Sequence, residues 1–193
     1  MEVTLNIIEH SAEEAVQAAG KLREPAALAF MESAASLLAE TFRASGKLIV
    51  AGNGGSLCDA AHFAEELTGQ FRKRRAALPA ISLCNAGHLT CVANDMGFNE
   101  VFSRGVEAYG SAGDVFCALT TSGKSENLRR AVAQAKEQGL KTIAFLGKGG
   151  GELKGLCDLE WIVEDFSTSD RIQEAHMAAI HIIIEALEAK LFC

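Results

Sequence analysis

The chain has 193 residues, 49% of them hydrophobic, and 25 acidic against 18 basic side chains give it a formal net charge of −7. That length suits one domain with a full core, and the acidic balance argues against a nucleic-acid partner, which needs a basic face. Six cysteines without C-x-x-C spacing, Cys58, Cys84, Cys91, Cys117, Cys157 and Cys193, read as reduced thiols of a cytoplasmic protein rather than as a disulfide or thiolate-metal framework.

The opening MEVTLNIIEH lacks a basic segment leading into an apolar one, so no secretory signal is expected. Residues 6–22 and the stretch from Pro25 to about Phe42 read as two helices, the second ended by Ala44, Ser45 and Gly46. Residues 47–51 form a short apolar run that predicts a buried strand, and Ala60, Ala61, Phe63, Ala64 and Leu67 recur at helical spacing after it. Between them, Gly52, Gly54 and Gly55 allow a tight turn and close approach of a ligand, with Ser56 expected as N-cap of a helix whose free N–H groups favour an anion. Such a turn is either a ligand loop or a plain connection, and it matches neither GxGxxG nor GxxxxGK[ST]. His62 and Glu66, four residues apart, share one face of that helix, an arrangement that suits a divalent metal, acid–base chemistry or a simple surface pair.

Arg72, Lys73, Arg74 and Arg75 form the one basic run, expected as a solvated loop or as an attractor for an anionic substrate. Residues 80–84 predict a second strand, and 90–97 and 100–109 short helices. Residues 114–119 predict a third strand, followed by Thr120, Thr121, Ser122, Gly123, Lys124 and Ser125 and a helix through Leu128, Ala131, Val132 and Ala135, with Gly139 as its C′ residue. Hydroxyls beside free N–H groups suit a phosphate monoester; the alternative is an over-capped helix start. Residues 141–146 and 159–163 predict two further strands, 148–156 a short glycine-led helix, and 169–191 a last helix carrying Asp170, Gln173, Glu174, His176 and His181. The stretch 178–187 is interrupted by His181 and Glu185 and is too short to span a bilayer, so no membrane partner is expected. Alternating strands and helices predict an α/β, three-layer, doubly wound parallel sheet of five strands preceded by two helices, with ligands at the carboxyl ends of the strands. Both loops lie at that edge and can serve one ligand.

The segments AGNGGS, DAAHFAEELTG, ANDMGFNEVFSR, TTSGKS and SDRIQEAHMAAIH together resemble the sugar isomerase (SIS) domain family in its phosphoheptose isomerase form. The resemblance runs almost from Lys47 to the end, and the two preceding helices fit it. It implies a flavodoxin-like domain spanning residues 1–193 in which residues 1–46 contribute to oligomer packing. It also implies a ketose–aldose isomerase acting on sedoheptulose 7-phosphate at the first step of ADP- or GDP-heptose precursor synthesis, in lipopolysaccharide or related glycans. The resemblance implies one Zn2+ per subunit on His62, Glu66, Gln173 and His181, with Glu66 and His181 as acid–base pair. Substrate contacts implied in the same way are Asn53, Gly54, Gly55, Ser56, Glu66, Asn94, Asp95, Thr120, Thr121, Ser122, Ser125, Asp170 and Gln173. Family members are homotetramers with active sites near subunit boundaries. Thr120 stands where the family commonly has serine, Gln70 where many relatives have arginine and Leu57 where several have histidine. The alternatives are a non-catalytic binding protein of the same fold, like the factor associated with the bacterial replication initiator, and a sugar-phosphate-sensing module; the first type loses the positions matching Glu66 and His181, the second needs no proton-transfer pair, and this chain has both residues.

Overall fold

The computed structural model describes residues 2–192; the reading of Cys193 as a reduced thiol lies outside the described residues. Two long helices come first, α1 (Glu2–Gly20) and α2 (Pro25–Arg43), joined by a 3-10 turn at Lys21–Arg23. Pro25 at the start of α2 has the φ a helix needs and no N–H to leave unpaired. α1 starts four residues earlier than the pattern suggested, because Val3, Leu5, Ile7 and Ile8 are all exposed and give no one-sided apolar signal.

The remaining elements alternate: β1 (Leu48–Gly52), α3 (Gly55–Thr68), β2 (Ala80–Ser82), α4 (Ala86–Asp95), α5 (Val101–Tyr109), β3 (Val115–Leu119), α6 (Glu126–Glu137), β4 (Lys141–Gly147), β5 (Leu159–Val163) and α7 (Ser169–Phe192). The strands form one sheet in the order β2-β1-β3-β4-β5, every pair parallel. β1 and β3 are buried along their whole length, as expected of strands covered on both faces. Side chains alternate across the pleat. Leu48, Val50, Val115, Cys117, Leu119, Ile143 and Phe145 pack with α2, α3 and α7, while Ile49, Ala51, Phe116, Ala118, Ala144 and Leu146 pack with α5 and α6. Successive crossovers from β1 and β3 therefore lie on opposite faces, and the sheet's switch point falls between these two strands. Both loops singled out in the sequence leave the sheet there.

Several local expectations are corrected. Ser56 does not cap α3: the helix begins at Gly55 after Gly54 at φ 57°, and Ser56 is buried inside the first turn with no side-chain bond to the helix end. β2 stops at Ser82 because an edge strand with one neighbour has fewer partners to extend it. α4 begins at Ala86 rather than near Thr90, since Asn85 accepts the N–H of His88 at 2.9 Å and fixes the start. Residues 148–156 do not form a regular helix; Gly149, Gly150 and Gly151 sit at φ 79°, 82° and 55° within the 3-10 segment Lys148–Leu153.

The basic run is not uniformly solvated. The Arg75 side chain is only 4% exposed, pairs with Glu188 at 2.6 Å, and donates at 2.7 Å to the carbonyls of both Glu66 and Leu67. It bonds carbonyls in the last turn of α3, that of Leu67 also accepting the Leu78 N–H, and binds that helix to α7. Cys117 is buried, but Cys84 and Cys91 are exposed, so packing accounts for the first and not for the other two.

His176 is wholly buried against Phe145 and Trp161 and donates from Nε2 to the Leu146 carbonyl at 3.0 Å, leaving Nδ1 without a partner. It is therefore a core residue and not part of a ligand set. Burial pushes its imidazole down to about 4, although the carbonyl bond works the other way. Because the folded value lies below the unfolded 6.5, this contribution to stability is complete above about pH 6.5 and is lost as pH falls toward 4. The expected loss by pH 4 is about 3 kcal/mol. Urea unfolding at pH 7, 5.5 and 4 should show a flatter pH dependence for His176→Gln, which keeps a donor but cannot charge; equal slopes would remove the assignment.

Candidate active site

α3 and α7 cross beside the carboxyl end of β1, and their facing turns bring three side chains together. Ligand atoms of His62, Glu66 and His181 all lie within 4.8 Å of one another. The His62 and His181 Nε2 atoms are 3.0 Å apart, and His62 Nε2 is 3.5 Å from a Glu66 carboxylate oxygen. On the other side of the ring, His62 Nδ1 lies 2.9 Å from Glu65. A proton held there by Glu65 leaves the His62 Nε2 lone pair facing the cluster, the orientation a metal ligand needs. Burial and the neighbouring His62 hold His181 below the usual imidazole value, against the pull of Glu66, so His181 also offers a lone pair at neutral pH. Two imidazoles and one carboxylate are a donor set that fits a divalent ion of the zinc type with positions left open for a substrate.

Phe71 stacks on the outer face of His181, with centroids 5.7 Å apart at 26°. Arg72 covers Phe71 in turn, 5.2 Å from its centroid, and pairs with Glu185. The start of the basic run thus closes one side of the cluster.

Gln173 lies one turn into α7. A Cβ on Gly55 would come within 2.6 Å of its Nε2, so the absent side chain at Gly55 makes room for this amide. Gln173, Asp170 and His181 share a cavity of about 490 Å3 with Asp59 and Glu174. Asp59 stands one turn before His62; one of its oxygens is buried without a partner, and burial pushes its carboxyl up to about 6.

The two loops are tied across the switch point by a reciprocal amide pair, Asn53 with Asn127, at 3.0 and 2.9 Å. Within the second loop Thr120 accepts the Gly123 N–H at 3.2 Å, Ser122 accepts that of Lys124 at 3.3 Å, Thr121 bonds Ser169 at 3.0 Å, and Ser125 occupies the N-cap of α6 without a side-chain cap. Gly54 stays open to solvent, whereas Ser56 is buried in the first turn of α3. Asn94 and Asp95, on the last turn of α4, bond to each other at 2.6 Å and Asp95 faces a different cavity with His88 and Arg104. Within one chain they stand apart from the cluster.

Glu65, Asp59, Phe71, Asn127 and Ser169 were not among the residues singled out from the sequence. Glu65 and Asp59 were legible as residues one turn from His62 on the same helix; the other three contact the site through tertiary packing alone.

The SIS domain family model matches residues 12–147. The phosphoheptose isomerase of Fusobacterium nucleatum is 56% identical over 161 residues, covering 83% of this chain and 82% of that one. That of Escherichia fergusonii is 48% identical over 170 residues, 88% of each chain. A phosphoheptose isomerase structure from Francisella tularensis superposes with a TM-score of 0.90 at 32% identity, covering 96% of this chain and 98% of that one, and one from Neisseria gonorrhoeae with 0.82 at 36%, covering 97% and 99%. With its sheet order, its paired loops and these relatives, the chain belongs to the SIS domain family and, within it, to the phosphoheptose isomerases.

Proposed function

We propose that the enzyme interconverts sedoheptulose 7-phosphate and D-glycero-D-manno-heptose 7-phosphate by proton transfer through an enediol, supplying ADP- or GDP-heptose precursor synthesis. The observation that carries this reading is the cluster of His62, Glu66 and His181 beside a hydroxyl-rich loop at the same edge of the sheet. Ketose–aldose interconversion moves a proton between C1 and C2 and another between their oxygens, so it needs two groups that can each take and return one.

Glu66 takes the carbon-bound proton and returns it to the neighbouring carbon. His181 exchanges the proton on the oxygens, and the roles reverse with direction. His62, Glu66 and His181, with Gln173 beside them, would hold Zn2+, one per subunit, whose positive charge would offset charge developing on the substrate oxygens. Glu66 has two carboxylate oxygens and can divide ligation and proton transfer between them. Asn53, Gly54, Gly55 and Asp170 line the approach, Ser56 shapes it from beneath, and Thr120, Thr121, Ser122 and Ser125 receive the phosphate.

Asn94 and Asp95 reach a site only if a second chain completes it, which is why we assign a homotetramer with active sites at subunit boundaries. The exposed apolar side chains of α1, Val3, Leu5, Ile7, Ile8 and Val16, support residues 1–46 as packing surface within a single-domain subunit. A monomer in sedimentation velocity would remove that assignment. Free cysteines and a phosphorylated substrate support a cytoplasmic location, which fractionation against a cytoplasmic marker checks. Among the described residues no helix is long and apolar enough to cross a membrane.

The test is an assay of metal-reconstituted protein with sedoheptulose 7-phosphate, following the aldoheptose 7-phosphate. Folded, metal-loaded protein without turnover would favour the binding-module alternative, which the presence of both Glu66 and His181 speaks against. Ser122→Ala should raise KM by about tenfold, the loss of one charge-assisted hydrogen bond to phosphate. An unchanged KM would move the phosphate elsewhere.

A further inference from the structure

Lys148 directly follows β4, the strand next to β3, and so emerges beside the hydroxyl loop at the carboxyl edge of the sheet. Its backbone lies at φ 51°, one of three non-glycine residues in the left-handed region among the described residues. Such a conformation costs a long side chain on the order of 1 kcal/mol and persists where its surroundings demand it. What it accomplishes here is to turn the side chain back across the loop. Nζ stands 3.4 Å from Ser169 Oγ, which is itself bonded to Thr121 at 3.0 Å.

Among the described residues Lys148 enters no ion pair, unlike Lys21, Lys47, Lys141 and Lys190. The nearby carboxylates are engaged elsewhere. Glu164 accepts the Gly149 N–H, Asp165 pairs with Lys21 and Asp170 lies 3.3 Å from Arg171. An uncommitted ammonium is thus held next to neutral hydroxyl and N–H donors. The loop's own Lys124 also enters no ion pair among the described residues, but only its backbone N–H, and not its ammonium, bonds a loop hydroxyl, whereas Lys148 Nζ is tied to the Ser169–Thr121 pair. A phosphate monoester is close to a dianion at neutral pH and loses hydration on entering such a cradle; neutral donors alone leave its charge uncompensated.

We propose that Lys148 is the cation of the phosphate cradle, held over Thr121 by Ser169, and that it selects phosphorylated over neutral sugars. This rests on the phosphosugar reading above, but its test does not require turnover. The probe is inorganic phosphate, titrated calorimetrically into the intact protein and into Lys148→Met, Lys148→Arg and Lys148→Gly, alongside KM and kcat with sedoheptulose 7-phosphate.

Lys148→Met should weaken phosphate binding and raise KM by about tenfold at low salt, with most of the loss in KM rather than kcat. The gap should narrow in high salt, as screening predicts, and Lys148→Arg should restore most of the affinity. Lys148→Gly separates charge from backbone strain: its thermal midpoint should not fall, yet its phosphate affinity should drop as in Lys148→Met. Wild-type phosphate affinity in both the Met and Gly variants would overturn the proposal. Phosphate binding that depends on Lys148 in a protein without isomerase activity would uphold it while removing the isomerase reading. Robust turnover with phosphate binding indifferent to Lys148 would do the reverse.

Discussion

Glu66→Gln is expected to lower kcat by about 10²- to 10⁴-fold while leaving the protein folded. The substitution keeps the shape of the side chain and an oxygen that can face a cation, but an amide cannot accept a proton at neutral pH. Glu66 sits on the inner side of α3, its side chain 17% exposed, and its removal as a charge breaks no core contact. Glutamine has nearly the helix propensity of glutamate, so α3 should persist. The measurement is kcat on protein of verified metal content, with circular dichroism and thermal midpoint as controls for the fold. If the metal-loaded variant turned over within tenfold of wild type, Glu66 would not be the base. His181→Asn should behave alike, since the proposed mechanism gives His181 the exchange of the oxygen-bound proton.

The second large effect is structural. Gly123 lies at φ 63° in the hydroxyl loop, and a Cβ there would fall 1.8 Å from the Gly150 carbonyl oxygen and 2.3 Å from its carbon. The obstruction is backbone, so no side-chain rotation relieves it. Nor is the loop free to withdraw: the Gly123 N–H is bonded to Thr120 and its carbonyl accepts from Leu153 at 3.1 Å. Gly151, at φ 55°, makes the reciprocal approach, 2.5 Å from the Ser122 carbonyl for its own added Cβ. Gly123→Ala should therefore cost roughly 2–4 kcal/mol, combining overpacking with a left-handed alanine. The thermal midpoint should fall by roughly 5–15 °C, and KM should rise as Thr120 and Ser122 are displaced. A variant as stable as wild type would mean that the two backbone segments do not meet as described.

These two variants divide the site into what local spacing specifies and what it does not. The pairing of His62 with Glu66 is a property of one helix: four residues advance about 400°, just over one turn, so any sequence that keeps α3 helical keeps them adjacent. The hydroxyls at 120–125 were likewise legible, because a strand of apolar residues must end before them and a helix begin after them. The strand pattern was readable for the same reason, β1 and β3 being continuous apolar runs bounded by glycine and hydroxyl residues.

Other features depended on the packing of distant segments. His176 and His181 lie on one apolar helix and look alike in sequence, yet five residues rotate about 140° around the axis, which sends one into the core and the other toward α3. Which of them met His62, 119 residues earlier, was decided by how α7 lies across the sheet. The burial of Arg75 against α3 and α7 had the same origin, and so did the contact of Gly123 with Gly150. Spacing along a chain determines neighbours only within an element, where helix or strand geometry fixes each side chain's direction. The meeting of His181 with His62 and of Lys148 with the hydroxyl loop comes from burying two faces of one sheet, a condition on the whole chain at once.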